Sequence, residues 1–210
     1  LELSKQAITS THNSDVQTIL DTRLNQSLSM FSNQPVEWIN RILCNNGQIK
    51  SSFDMPKEQV VAVDNIIAEN DCCIIKAPPQ FGLTCLSHYM IKEAWSKRGQ
   101  AWSYIDFDNV SPKDVGARVE LERKMFGLDH VDCILVDAWS CNKNGAQKII
   151  ELLRTGYPNS RLVIMQTTND ALAALSPDKI RINCAVKTYN LLALPRCEVR
   201  KAVRTYVERI

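Results

Sequence analysis

Cys72-Cys73-Ile74-Ile75-Lys76-Ala77-Pro78-Pro79-Gln80-Phe81-Gly82-Leu83-Thr84 is the stretch on which the fold turns. An apolar run leads into a loop with two prolines and a glycine, and an amphipathic pattern of helical period follows from Thr84 to about Lys97. Strand, loop and helix in that order are the setting of the phosphate-binding motif G-x-x-x-x-G-K-[ST]. Here the motif reads A-x-x-x-x-G-L-T. Gly82 and Thr84 keep the second glycine and the hydroxyl, whereas Ala77 and Leu83 stand where the first glycine and the lysine belong.

Such a loop holds phosphate because successive backbone N–H groups converge on it at a helix N-terminus. The lysine adds a mobile positive charge, and the Ser/Thr hydroxyl is a Mg²⁺ ligand. Pro78-Pro79 stiffens the entry by fixing φ at two positions, and Leu83 supplies no charge. The candidate binding residues are therefore the loop and first turn, Pro79, Gln80, Phe81, Gly82, Leu83, Thr84 and Cys85. Losing one charged contact to phosphate costs on the order of 2–3 kcal/mol of binding. A tight turn between a strand and a helix reads the same way over eight residues, so the context has to decide.

Downstream, Cys133-Ile134-Leu135-Val136-Asp137 is four apolar residues closed by an aspartate, the pattern in which a carboxylate at a strand end holds Mg²⁺ through water. Thr84 and Asp137 are thus the candidate metal positions. The next apolar run, Leu162 to Gln166, ends in Thr167-Thr168-Asn169, where Thr167 or Asn169 would be a third, phosphate-sensing side chain. Hydrolysis needs in addition a carboxylate to orient water. Asp137 is followed by Ala138-Trp139-Ser140, so no catalytic residue is assigned and turnover is expected to be poor.

Further strand-like segments lie near Ala101 to Asp106 and Ala185 to Tyr189. Helical patterns separate the strands at about Pro112 to Phe126, Lys143 to Arg154 and Asp170 to Leu175. Alternation of this kind predicts a parallel five-stranded sheet covered on both faces, an α/β fold in three layers. Ahead of it, residues 1–13 read as a polar lead-in. Val16, Ile19, Leu20, Leu24 and Leu28 recur at helical spacing, and Val36, Trp38, Ile39, Ile42 and Leu43 suggest a second short helix. A third is expected from Pro56, with Val60, Val63, Ile66 and Ile67 inward. The chain divides on this reading into a helical linker or appendage, 1–55, and a degenerate P-loop domain, 56–210. Starting at Leu1 and ending inside a helical pattern, it reads as a piece of a longer protein.

The whole has 210 residues, a formal net charge of +2 and eight scattered cysteines with no C-x-x-C pair. That balance does not argue for nucleic acid or a membrane surface as partner. No apolar run approaches the roughly 20 residues of a membrane span, and the thiols suit a reducing, cytoplasmic setting. Asp106 and Asp108 are either a second metal or sugar contact or capping acids at a strand end. Trp95, Trp102 and Trp139 suit packing, as does His88, while Arg196, Arg200, Lys201, Arg204 and Arg209 suit a solvated helix face.

Together the Ala77–Thr84 loop, the two apolar strands and the Tyr189-to-Val199 segment with Pro195 resemble the STAND class of P-loop NTPases, relatives of AAA+ proteins and of NACHT and NB-ARC modules. The resemblance covers roughly Pro56 to Ile210. It implies a sheet order of 5-1-4-3-2, weak or absent ATP and Mg²⁺ binding at the residues named, and homo-oligomerisation on activation. It also implies control of an effector, in the same or a partner chain, in antiviral defence or signalling. A non-catalytic structural or interaction domain is one alternative. A non-catalytic AAA+ subunit of a DNA-handling complex is the other.

Overall fold

The computed structural model describes residues 2–29, 38–45, 60–140, 143–168, 185–194 and 196–207. In chain order the elements are α1 (Glu2–Ser29), β1 (Ile42–Asn45), β2 (Val60–Ala62), α2 (Val63–Ala68), β3 (Cys72–Ala77), α3 (Leu83–Arg98) and β4 (Trp102–Asp106). Then come α4 (Val115–Phe126), β5 (Cys133–Trp139), α5 (Ala146–Gly156), β6 (Arg161–Thr167), β7 (Val186–Leu191) and α6 (Arg196–Val207).

Five strands are parallel and adjacent in the order β7-β3-β6-β5-β4. Counted from β3, that is 5-1-4-3-2. The sheet is nevertheless seven-stranded, not five. β1 pairs antiparallel with β7, and β2 pairs antiparallel with β1. The front segment is therefore not helical throughout. Ile42 and Leu43, expected in a helix, lie in a strand, because the open edge of β7 offers unpaired backbone groups that a short apolar segment can satisfy. Val60 likewise lies in a strand and is exposed, and the helix expected from Pro56 begins at Val63. Helix α1 starts at Glu2, inside the expected lead-in. The short helix expected near Asp170 to Leu175 falls outside the described residues.

Strand alternation sorts the core into two layers. Cys73, Ile75 and Ala77 of β3, Cys133 and Leu135 of β5, and Val163 and Met165 of β6 join Leu83, Leu86 and Met90 of α3, with Val16 and Leu20 of α1, on one face. Cys72, Ile74, Ile134, Val136, Leu162 and Ile164 meet Val115 and Val119 of α4 and Ile149, Ile150 and Leu153 of α5 on the other. Being covered on both sides, the central strands are continuously apolar, which is why their runs stand out in the sequence. Ile19, on the expected stripe of α1, is exposed. The buried stripe is Val16, Leu20, Leu24 and Ser27.

Helix α1 lies along α3 and reaches α4. Arg23 grips the buried carboxylate of Glu122 with two hydrogen bonds of 2.7 and 3.1 Å, and Cys85 of α3 donates its thiol hydrogen to Ser27 O. Trp102 and Trp139 are buried, and Trp95 packs on Phe126, its ring centre 5.1 Å away. No helix among the described residues is long and apolar enough to cross a membrane.

Candidate functional site

The loop leaves β3 at Ala77 and closes a turn in which Phe81 N–H donates to Pro78 O at 3.4 Å. Gln80 and Gly82 both have positive φ, 67° and 78°. Gly82 suits that region, and Gln80 is a non-glycine residue held there. Helix α3 then begins at Leu83. Its first internal bond is Leu86 N–H to Gly82 O, 2.9 Å, so the N–H groups of Leu83, Thr84 and Cys85 precede the ladder, and Gly82 has no side chain to cap them.

Asp137 follows Cys133 and Leu135 on the α3 face of β5, and there it meets the helix start. It is buried, 2 % exposed. Its carboxylate accepts from Tyr104 Oη and from Ala138 N–H, both at 2.9 Å, and the Thr84 hydroxyl beside it also favours the ionised form. Burial pushes its pKa above the ordinary aspartate range, and these hydrogen bonds pull the other way. Strand β5 continues past Asp137 to Trp139 through a register shift against β6, with Ala138 at φ 56°. Bulges of this kind re-aim side chains beside functional sites.

The other candidates fall as follows. Thr167 ends β6 in register with Ala77, beside the loop and exposed, and Thr168 N–H donates to Ala77 O at 2.8 Å. Asn169 lies outside the described residues. Leu83 is 8 % exposed and packs in the core layer with Ala77 and Met165, and Phe81 packs partly against it. The Cys85 thiol is buried against α1, which leaves only its backbone N–H to the loop. Pro79 offers no N–H. Asp106 turns out to be a capping acid: it accepts from Asp108 N–H and Asn109 Nδ2, 3.1 and 2.6 Å, around the short turn Phe107–Asn109, in which Asp108 is exposed.

Two contributors were not read from the sequence. Tyr104 binds Asp137 only because β4 is the neighbour of β5. Arg41, on the approach to β1, brings its guanidinium to Gly82, where a Cβ would stand 2.9 Å from Nη2. No local pattern links position 41 to a loop so far downstream.

His88, on α3, tilts against Tyr104 with ring centres 4.6 Å apart. Burial first, and Arg23 second, push its pKa down to about 4. A depressed histidine pKa contributes stability that is full above the ordinary value of about 6.5 and is lost as pH falls through the folded value. Acidification from pH 6.5 to 4 is therefore expected to cost on the order of 3 kcal/mol at this residue, and His88→Phe should flatten that part of a urea-denaturation profile against pH.

Among the described residues, no group of three or more His, Cys, Asp or Glu side chains could hold a metal ion. The donor set fits Mg²⁺ in another manner. One hydroxyl and one carboxylate side by side, at a row of uncapped N–H groups, suit a cation that takes its remaining ligands from water and phosphate. A cleft of about 390 Å³ between α4 and α5, lined by Pro112, Gly116, Leu152 and Tyr157 among others, includes none of these residues.

The chain matches no family model and no curated protein. Among solved structures, one similar chain is AMPPCP-bound DnaA from Aquifex aeolicus, with 15% identity and a TM-score of 0.44. The match covers 70% of this chain and 48% of that one.

Proposed function

We propose that the chain is a nucleotide-binding regulatory module of P-loop type, holding ATP with Mg²⁺ weakly and turning it over little. The observation that carries this reading is the Asp137 carboxylate buried beside the Thr84 hydroxyl at the uncapped start of α3. Neighbouring strands in the order 5-1-4-3-2 support it. The N–H groups of Gly82 to Cys85 would face the phosphates, Thr84 and Asp137 would face the metal, and Thr167 or Asn169 would sense the outer phosphate. When bound, Mg²⁺ would neutralise phosphate charge. The chain itself places only Ala138 after Asp137, with no carboxylate there to orient a water molecule. On the resemblance to STAND proteins, the module would assemble into a homo-oligomer and govern an effector in defence or signalling.

Calorimetric titration with Mg²⁺·ATP tests this. Expected is weak saturable binding, lost in Thr84→Ala, with phosphate release near background. Rapid hydrolysis abolished by Thr84→Ala would contradict it. Asp137→Asn should also lose Mg²⁺-dependent binding, yet melt at or above the wild-type temperature at pH 7. A raised folded pKa gives stability that is full below an ordinary aspartate's value of about 3.9 and lost as pH rises through the folded one. The variant's advantage should therefore shrink as pH falls towards 4.

A second reading has its own observation. Leu83 is in the core and Phe81 leans on it, which suits a loop kept as a packing turn in an interaction domain. No saturable nucleotide binding at all would favour it.

A further inference from the structure

The loop lacks its lysine, and the question is what else on the protein could meet phosphate there. Lys76, next to the loop in sequence, is buried in β3 and by alternation lies on the opposite face from Ala77. Leu83 is committed to the core. Arg41 is different. Trp38 stacks on Tyr89 of α3, ring centres 4.0 Å apart and planes 7° from parallel, and the Arg41 guanidinium lies 5.9 Å from the Trp38 ring centre. The segment before β1 thus runs along α3 towards its start, and it delivers the guanidinium against Gly82.

Electrostatically the placement is costly. A helix N-terminus carries partial positive charge, and a cation beside it is unfavourable. Arg41 is partly buried, and its Nε is buried with no hydrogen-bond acceptor among the described residues. Nor does any carboxylate among those residues form an ion pair with it. A guanidinium against Gly82 and the uncapped N–H groups of the turn that follows it could all be satisfied by a single anion with several oxygens.

We propose that Arg41 is the phosphate-contacting cation of this loop, supplied by the front segment in place of the missing lysine. The proposal rests on the nucleotide-binding reading above and makes the front segment part of the site. It also sets the ligand class: a polyphosphate is favoured over an uncharged nucleoside.

Titration of Mg²⁺·ATP, Mg²⁺·tripolyphosphate and adenosine into the wild type, Arg41→Met and Arg41→Lys tests it. Arg41→Met should weaken both polyphosphates at least about tenfold, the scale of one charged hydrogen bond, and leave adenosine unchanged. Arg41→Lys, which keeps the charge and serves as the milder variant for the fold, should stay within about threefold of wild type. If the wild type binds and Arg41→Met binds equally well or more tightly, the Arg41 proposal is overturned and nucleotide binding stands. If neither wild type nor variants bind either polyphosphate, both fall.

Discussion

Replacing Arg161 by methionine is expected to cost about 3 kcal/mol of stability, roughly 6–12 °C in melting temperature for a chain of this size. Arg161 opens β6 and is buried. Its Nε donates to Asp71 O and its Nη1 to Ile66 O, both at 2.7 Å, and its Nη2 to Cys73 Sγ at 3.4 Å, while the guanidinium carbon lies 5.5 Å from the Trp102 ring centre. It thereby satisfies a carbonyl at the turn into β3 and gives a second donor to one near the end of α2, Ile66 O, which also accepts from Glu69 N–H at 3.3 Å. Methionine keeps much of the apolar volume and removes all three donors, so the loss measures the hydrogen bonds and not a cavity. Urea denaturation gives the number, and a loss under about 1 kcal/mol would show that these carbonyls find other donors.

Arg23→Met is expected to cost about 2–4 kcal/mol. Glu122 is 2 % exposed, and with Arg23 gone its nearest cation is Arg118 at 3.7 Å. Most of the loss comes from stranding the carboxylate and not from losing the attraction. The double variant Arg23→Met, Glu122→Leu should therefore regain most of it. A double variant no more stable than the single would mean that the pair acts by positioning α1 against α4. Because Arg23 also helps to depress the His88 pKa, the single variant should make the acid-dependent loss at His88 slightly smaller, ending at a slightly higher pH.

The parallel strands were legible because burial on both faces writes them as apolar runs: Cys72 to Ile75, Cys133 to Val136 and Leu162 to Met165 have no competing pattern. The front segment was not. Trp38, Ile39, Ile42 and Leu43 fit a helical spacing as well as a short strand, and the deciding fact, the uncovered edge of β7, is tertiary. Within the site, Thr84 and Asp137 could be read from motif spacing, and their proximity follows from α3 packing across the sheet face onto β5. Tyr104 and Arg41 could not, since one depends on which strand adjoins β5 and the other on how the segment before β1 runs along α3. Leu83 was read as a missing charge. Its burial adds a physical reason, because the position points into the core layer beside Ala77.

The most direct measurement is a crystal structure of the protein grown with Mg²⁺ and a non-hydrolysable ATP analogue. Nucleotide phosphates over the Gly82–Cys85 N–H groups, with Mg²⁺ beside Thr84 and Asp137, are the predicted result. A loop whose Phe81 and Leu83 side chains fill the cleft, with no nucleotide at saturating concentration, would contradict it.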